Sequence, residues 1–427
     1  MSSKLVLRGS VATLALLAAG SAFAADLPAK AAPPIMVEEH CKAALSTPSY
    51  GPTIKAPADN NCWASPIGDL YLGGALSGYA YSFQSAQFAY AAPTPGTDPE
   101  RTSRLDFSNA MLWVQKADGP FQFFVAAGLY SIPGLGLPVY QSYDQNKLLF
   151  GPVPAAYGKY QINEEWSVQG GRMFTNIGSE LPFTFQNINI SRGLLFGQEN
   201  IINQGAQVNY SSGPLSASLA VTDGFYSGEL NWVTGAITYK LDDSNTIGVN
   251  GGTHFNNFNS STRGFGFQFA TPLALQNSSI VSANYTYASG PWTVTPYVQY
   301  TAVDSNAGLG LIGAETFGAS ILAAYNFNDN FSLGGRFEYI TQSGNRNDPF
   351  GRTNVLYGPG SEAFSYTITP TFTYGRYFLR GEYAHVDLAS FQRGTAFAGG
   401  GVLGLGFGRF GNKSGQDRYL IETGFTF

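Results

Sequence analysis

From Leu70 onward, apolar and polar residues alternate in segments about ten to thirteen residues long, close to the length of a tilted membrane strand. In Phe364–Thr373, the residues Phe364, Tyr366, Ile368, Pro370 and Phe372 share one face. Ser365, Thr367, Thr369, Thr371 and Thr373 share the other. Trp292–Ala302 sets Trp292, Val294, Pro296, Val298 and Tyr300 opposite Thr293, Thr295, Tyr297, Gln299 and Thr301. In Asp417–Phe427, Tyr419, Ile421, Thr423, Phe425 and Phe427 oppose Arg418, Leu420, Glu422, Gly424 and Thr426. A period of two means strand, and none of these segments shows the helical period of 3.6. Each strand has one aromatic face and one small or polar face. A barrel in a membrane satisfies both, with lipid outside and water inside. Taken alone, the last segment also suits a soluble sandwich. Composition favours the barrel: aromatics are 15% and charged residues 12%, which is half the usual globular share and too few to keep a large soluble β-protein dispersed.

Seven turn-forming stretches join pairs of these segments: 116–119, 163–165, 211–214, 241–244, 289–291, 326–329 and 375–376. They use the Gly, Asn, Asp and Pro residues of tight hairpins. Longer irregular connections lie between them, at 82–103, 131–152, 175–203, 225–230, 256–278, 304–314, 343–362 and 389–416. Seven hairpins, a first strand near 70–81 and a last at 417–427 make about sixteen strands, an even number that closes a sheet without a free edge. The expected fold is all-β, a transmembrane antiparallel up-and-down barrel over residues 69–427. Arg263–Pro272, where Phe265, Phe267 and Phe269 alternate, is placed in an outer loop. If it is a strand partnered by 399–410, the total is eighteen.

The N-terminus carries Lys4 and Arg8, an apolar run Val11–Ala19 and a small-x-small site, Ala22-Phe23-Ala24. This is a signal peptide, residues 1–24, and its removal takes the formal net charge from −5 to about −7. No later run of eighteen apolar residues exists to make a membrane helix. Residues 25–68 are Pro-rich and irregular, and serve as a periplasmic extension, a spacer or a short plug. Cys41 and Cys62 lie within them and are expected to form one disulfide in an oxidising compartment. A metal or redox site is the alternative, against which stands the lack of CxxC spacing or a His cluster.

Gly171–Val208 reads GRMFTNIGSELPFTFQNINISRGLLFGQENIINQGAQV. The pattern Gly-x-x-aromatic-Thr-x-x-Gly-x-Glu, then Ser-Arg, an aromatic-Gly pair and a Gly opening the next strand, resembles the β-barrel porin-2 (OmpL-like) family. Ala25-Asp26-Leu27-Pro28 after the signal peptide is similar to α-proteobacterial porins. The resemblance implies a water-filled channel in the outer membrane of a Gram-negative bacterium, passing small hydrophilic solutes and ions by diffusion. It implies no catalysis and no cofactor. Its partners would be outer-membrane lipids, an assembly machinery that reads the terminal Phe427, and two further copies in a homotrimer. A substrate-specific channel and a structural or adhesive barrel without a through-path are the competing functions.

A lumen of about sixteen strands is wide enough for water, and selectivity then comes from inward charges and an inward loop. Loop 175–203 is the best candidate, with Glu180, Arg192 and Glu199. Arg172, Arg336 and Arg380, with Glu338 and Glu382, are the candidates on the wall. The competing reading pairs Arg336 with Glu338 and Arg380 with Glu382 as braces of the barrel. Trp166, Trp292, Tyr366 and Tyr374 fit interfacial girdles, with sugar stacking as the sharper alternative. His40, His254 and His385 lie in separate regions. A lipase-like triad would need one of them, with His254 placed nearest the outer rim. Phosphate-binding and dinucleotide motifs are absent, and a net-acidic chain without a basic stripe argues against nucleic acid.

Overall fold

The computed structural model describes residues 41, 51–56, 61–85, 101–137, 139–256, 272–344, 357–394 and 404–427. Sixteen strands form one antiparallel ring. They are β2 (Gly68–Gln84), β3 (Arg101–Lys116), β4 (Phe121–Tyr130), β5 (Ala155–Gln161), β6 (Trp166–Phe174), β7 (Ile202–Ser212), β8 (Leu215–Thr222), β9 (Trp232–Lys240), β10 (Asn245–His254), β11 (Ser278–Ser289), β12 (Trp292–Val303), β13 (Ala314–Asn326), β14 (Phe331–Gln342), β15 (Glu362–Tyr374), β16 (Tyr377–Ser390) and β17 (Gly415–Thr426). Each pairs with the next, and β17 closes on β2 from Asp417↔Gln84 to Thr426↔Ala75. A short strand, β1 (Asn61–Ser65), hangs on the start of β2.

The ring closes at sixteen, so the eighteen-strand alternative falls. Gly404–Phe410 adds no barrel strand. Of Arg263–Pro272, residues 263–271 lie outside the described residues. Pro272 opens a short helix, α2 (Pro272–Gln276), which follows α1 (Ser142–Leu148) in the chain. All seven tight turns fall on one rim and the eight longer connections on the other.

The alternation reads directly onto the two faces. In β15, Phe364, Tyr366, Ile368 and Phe372 are exposed outward, while Ser365, Thr369 and Thr371 are fully buried inside. Near the short turns, Trp166 packs on Tyr210 at 4.7 Å and Trp292 on Tyr325 at 4.6 Å, forming an outward aromatic belt. Tyr366, Tyr383 and Tyr419 form a second cluster nearer the long loops.

Cys41 and Cys62 are joined as a disulfide, which ties residue 41 to β1. With both sulfurs in that bond, neither is free to ligate a metal. Residues 51–56 enter the barrel from the short-turn end. Ile54 is buried among Trp113, Phe185 and Phe378, and the Gly51 amide donates to the Phe185 carbonyl at 3.5 Å.

Candidate pore-constriction site

The connection between β6 and β7 folds back into the lumen instead of leaving the barrel. Thr184, Phe185, Asn189, Ile190, Ser191, Arg192 and Leu195 are completely buried there. Irregular backbone at membrane depth must find partners for its amides and carbonyls within the protein. The inner wall provides them from charged side chains.

Arg380 on β16 donates to the carbonyls of Thr184 (3.0 Å), Asn187 (3.1 Å) and Ile188 (3.0 Å). Arg336 on β14 donates to the Ser191 carbonyl at 2.7 Å and to the Glu180 carboxylate at 2.6 Å. Glutamates take the amides. Glu382 accepts from Ile190 (2.5 Å) and Ser191 (3.0 Å), and Glu338 accepts from Leu194 (2.9 Å). On β17, Glu422 accepts the Thr184 hydroxyl at 2.5 Å. Within the loop, Arg192 donates to the carbonyls of Leu181, Phe183, Asn189 and Ile190 at 2.5–3.2 Å. Gly193 passes so close to the wall that a Cβ there would overlap the Glu338 carboxylate; only glycine fits.

The structure therefore brings Glu180, Arg192, Arg336, Glu338, Arg380 and Glu382 together, each at most 5% exposed, as anchors between loop and wall. Arg336 and Glu338 do pair, at 3.2 Å. Arg380 does not pair with Glu382: its carboxylate partner is Glu422, at 3.4 Å. Arg380 and Glu422 are direct cross-strand neighbours, whereas Glu382 lies two residues along the same strand and reaches the loop.

Arg172 departs from expectation. Its register sets it opposite Ala156 and Gln204, on the outward face with Trp166 and Val168. The preceding Gly170-Gly171 hides that parity in the sequence. Its guanidinium donates to the carbonyls of Val153 (2.5 Å) and Phe150 (3.3 Å) and lies over the Tyr226 ring, bracing the outer connections.

Glu199 is buried without a hydrogen-bond partner for either carboxylate oxygen, pressed against Gly178, where a Cβ would overlap it. Burial, reinforced by the neighbouring Glu180 and Glu338, holds its carboxyl well above the ordinary carboxylate range.

Arg418 holds a second connection, donating to the carbonyls of Gly134 (2.5 Å) and Leu137 (2.6 Å). That connection bonds in turn to the inward loop, Leu135 amide to Arg192 carbonyl at 2.8 Å. The alternation placed Arg418 and Glu422 in the lumen without revealing them as loop anchors. Asn109, which donates to the Thr184 hydroxyl at 2.6 Å, had no sequence signal. The Arg-x-Glu spacing shared by β14 and β16 was the legible clue, since alternate strand residues face the same loop.

With the loop held against β12–β17, the remaining space lies opposite. A solvent-open cavity lies between the loop limb 175–181 and the inner wall of β8–β12, bridged by Asn176 to Ser218 at 2.8 Å and the Gly178 amide to Asn250 at 3.2 Å.

The chain matches the family described as "putative beta-barrel porin-2, OmpL-like" over residues 69–427. No curated protein matches it. Solved structures with a similar fold include an anion-selective porin from Comamonas acidovorans, at 12% identity and a TM-score of 0.52, covering 84% of this chain and 99% of that one. OmpT of Vibrio cholerae, an outer-membrane protein, is similar at 10% identity and a TM-score of 0.51, covering 86% and 100%. A closed sixteen-strand barrel with an inward loop, matched over nearly all of its length, makes this chain a member of the β-barrel porin-2 family, an outer-membrane porin.

Proposed function

We propose that the chain is a non-catalytic diffusion channel for small hydrophilic solutes and ions, constricted by loop 175–201. The observation that carries this reading is the one-sided placement of the charged anchors around the loop, whose limb 175–181 reaches the other wall through uncharged bonds, Asn176 to Ser218 and Gly178 to Asn250. Its charged anchors lie on β14, β16 and β17, so free lumen is left along β8–β12. Residues 51–56 act beneath the loop as a short plug on the anchored side, with Ile54 as its apolar tip. In this reading, the buried arginines and glutamates fix the aperture, and solutes do not touch them.

Reconstitution into planar bilayers tests the proposal. Stable, ohmic single-channel steps are expected. A correctly folded, heat-modifiable barrel that gives no steps would overturn it.

A further inference from the structure

We infer that the passage favours neutral polyhydroxylated solutes over ions, an inference that rests on the channel reading above. The cavity is lined mainly by uncharged polar groups. The β8–β12 flank presents Ser218, Thr238, Asn250, Asn284 and Thr286, hydroxyls and amides without formal charge. The loop side adds Asn176, Ser179 and Asn187 beside Leu181 and Ile188. Among the described residues, Glu180 is the only ionisable one lining the cavity, and its carboxylate is spent on Arg336 at 2.6 Å and the Gly193 amide at 2.7 Å.

A neutral solute rich in hydroxyls finds hydrogen-bond partners along this lining. A salt ion finds no counter-charge there. Part of the polar capacity on the wall is unspent. Asn284 Oδ1 has no hydrogen-bond partner and lies across Gly248, where a Cβ would collide with it. Neighbouring groups are arranged by short bonds: Thr286 to Thr295 at 2.8 Å, and Asn176 to Ser218 at 2.8 Å. A small solute that offers both donors and acceptors can exchange with these bonds one at a time.

The experiment combines planar-bilayer recording with liposome swelling on the full mature chain. Conductance steps establish the channel first. Swelling then compares glucose with gluconate and with glucosamine, which are similar in size and differ in charge. Glucose is expected to permeate fastest, and a KCl gradient is expected to give a reversal potential near zero. Asn284→Asp and, separately, Ser218→Asp place a carboxylate on two different strands of the polar flank. Each is expected to shift ion preference toward cations by about fivefold or more, the effect of one unpaired charge a few ångströms from the path, and to slow gluconate further. Conducting channels that exclude glucose, or a native preference beyond about fivefold for either ion, would overturn the inference and leave the porin reading intact. Two aspartate variants that conduct normally with unchanged selectivity would show that this flank does not line the path, which also overturns it. Absence of conductance would overturn the channel reading itself.

Discussion

Replacing Arg380 with Ala should loosen the inward loop at its centre. The guanidinium makes three bonds to loop carbonyls at 3.0–3.1 Å and one ion pair at 3.4 Å, all fully buried. Bonds to charged groups contribute about 1.5–3 kcal/mol each, so the three carbonyls represent about 5–9 kcal/mol before compensation. These terms overlap with the ion pair and do not add. Water entering the lumen would satisfy part of the freed carbonyls, and Glu422 would keep the Thr184 hydroxyl. The net cost is closer to that of breaking one buried pair, about 3–5 kcal/mol. Because Glu382 and Arg336 still hold Ile190 and Ser191, the damage should stay within 184–188. A local cost of that size raises the open population of this segment by about two to four decades. Hydrogen exchange should show Asn187 and Ile188 losing protection selectively. Single-channel recordings should show larger or flickering steps. If exchange protection and conductance both match the native protein, the loop is not held by this arginine and the anchoring scheme is wrong.

Gly193→Ala should be as damaging as losing an anchor, because its Cβ would meet two buried carboxylates; the barrel's melting temperature and conductance noise report it. Glu199→Gln should flatten the pH dependence of stability. With its folded pKa raised, Glu199 costs nothing below the ordinary carboxyl pKa of about 4.3, then destabilises the native state progressively as pH rises toward and through the folded value. Thermal melts from pH 4 to pH 9 check this, and an equal slope in the variant would contradict it. Ile54→Asp should expel residues 51–56 from beneath Phe185 and raise conductance, leaving barrel melting nearly unchanged because β3 and β16, which supply Trp113 and Phe378 to that cluster, keep their own strand ladders. Reduction of Cys41–Cys62 should likewise spare the barrel melt, since the bond ties only residue 41 to β1.

The barrel was legible because the membrane imposes one rule on every strand. Ser365 and Phe364 differ in exposure for the same reason along the whole length of β15, so counting turns was enough to reach sixteen. The inward loop was legible only as length and composition. What sequence could not supply was the meeting of distant residues. Glu382 lies 192 positions from the Ile190 amide it accepts. Cross-strand register, which made Glu422 and not Glu382 the partner of Arg380, depends on where β17 returns to β16. At Arg172 the local rule itself failed, because two glycines carry no face and the parity must be inherited from Trp166 and Val168. Glu199 was singled out for its charge, yet its environment favours the uncharged form.

Charge inside a pore invites the assumption that charge selects, but the distances here argue otherwise. Arg192, Arg336 and Arg380 each have a carboxylate within 3.8 Å, from Glu180, Glu338 or Glu422, and all six are at most 4% exposed, while Glu382 is spent on loop amides and Arg418 on loop carbonyls. An isolated charge 4 Å from a permeating ion is worth about 1 kcal/mol in bulk water and about 4 kcal/mol in a partly shielded site, enough to dictate ion preference. Opposite charges a few ångströms apart leave only dipoles, whose field fades well before the β8–β12 wall. Satisfying the backbone of a loop buried at membrane depth therefore consumes the charged residues, and the surface left to the solute is one of hydroxyls and amides.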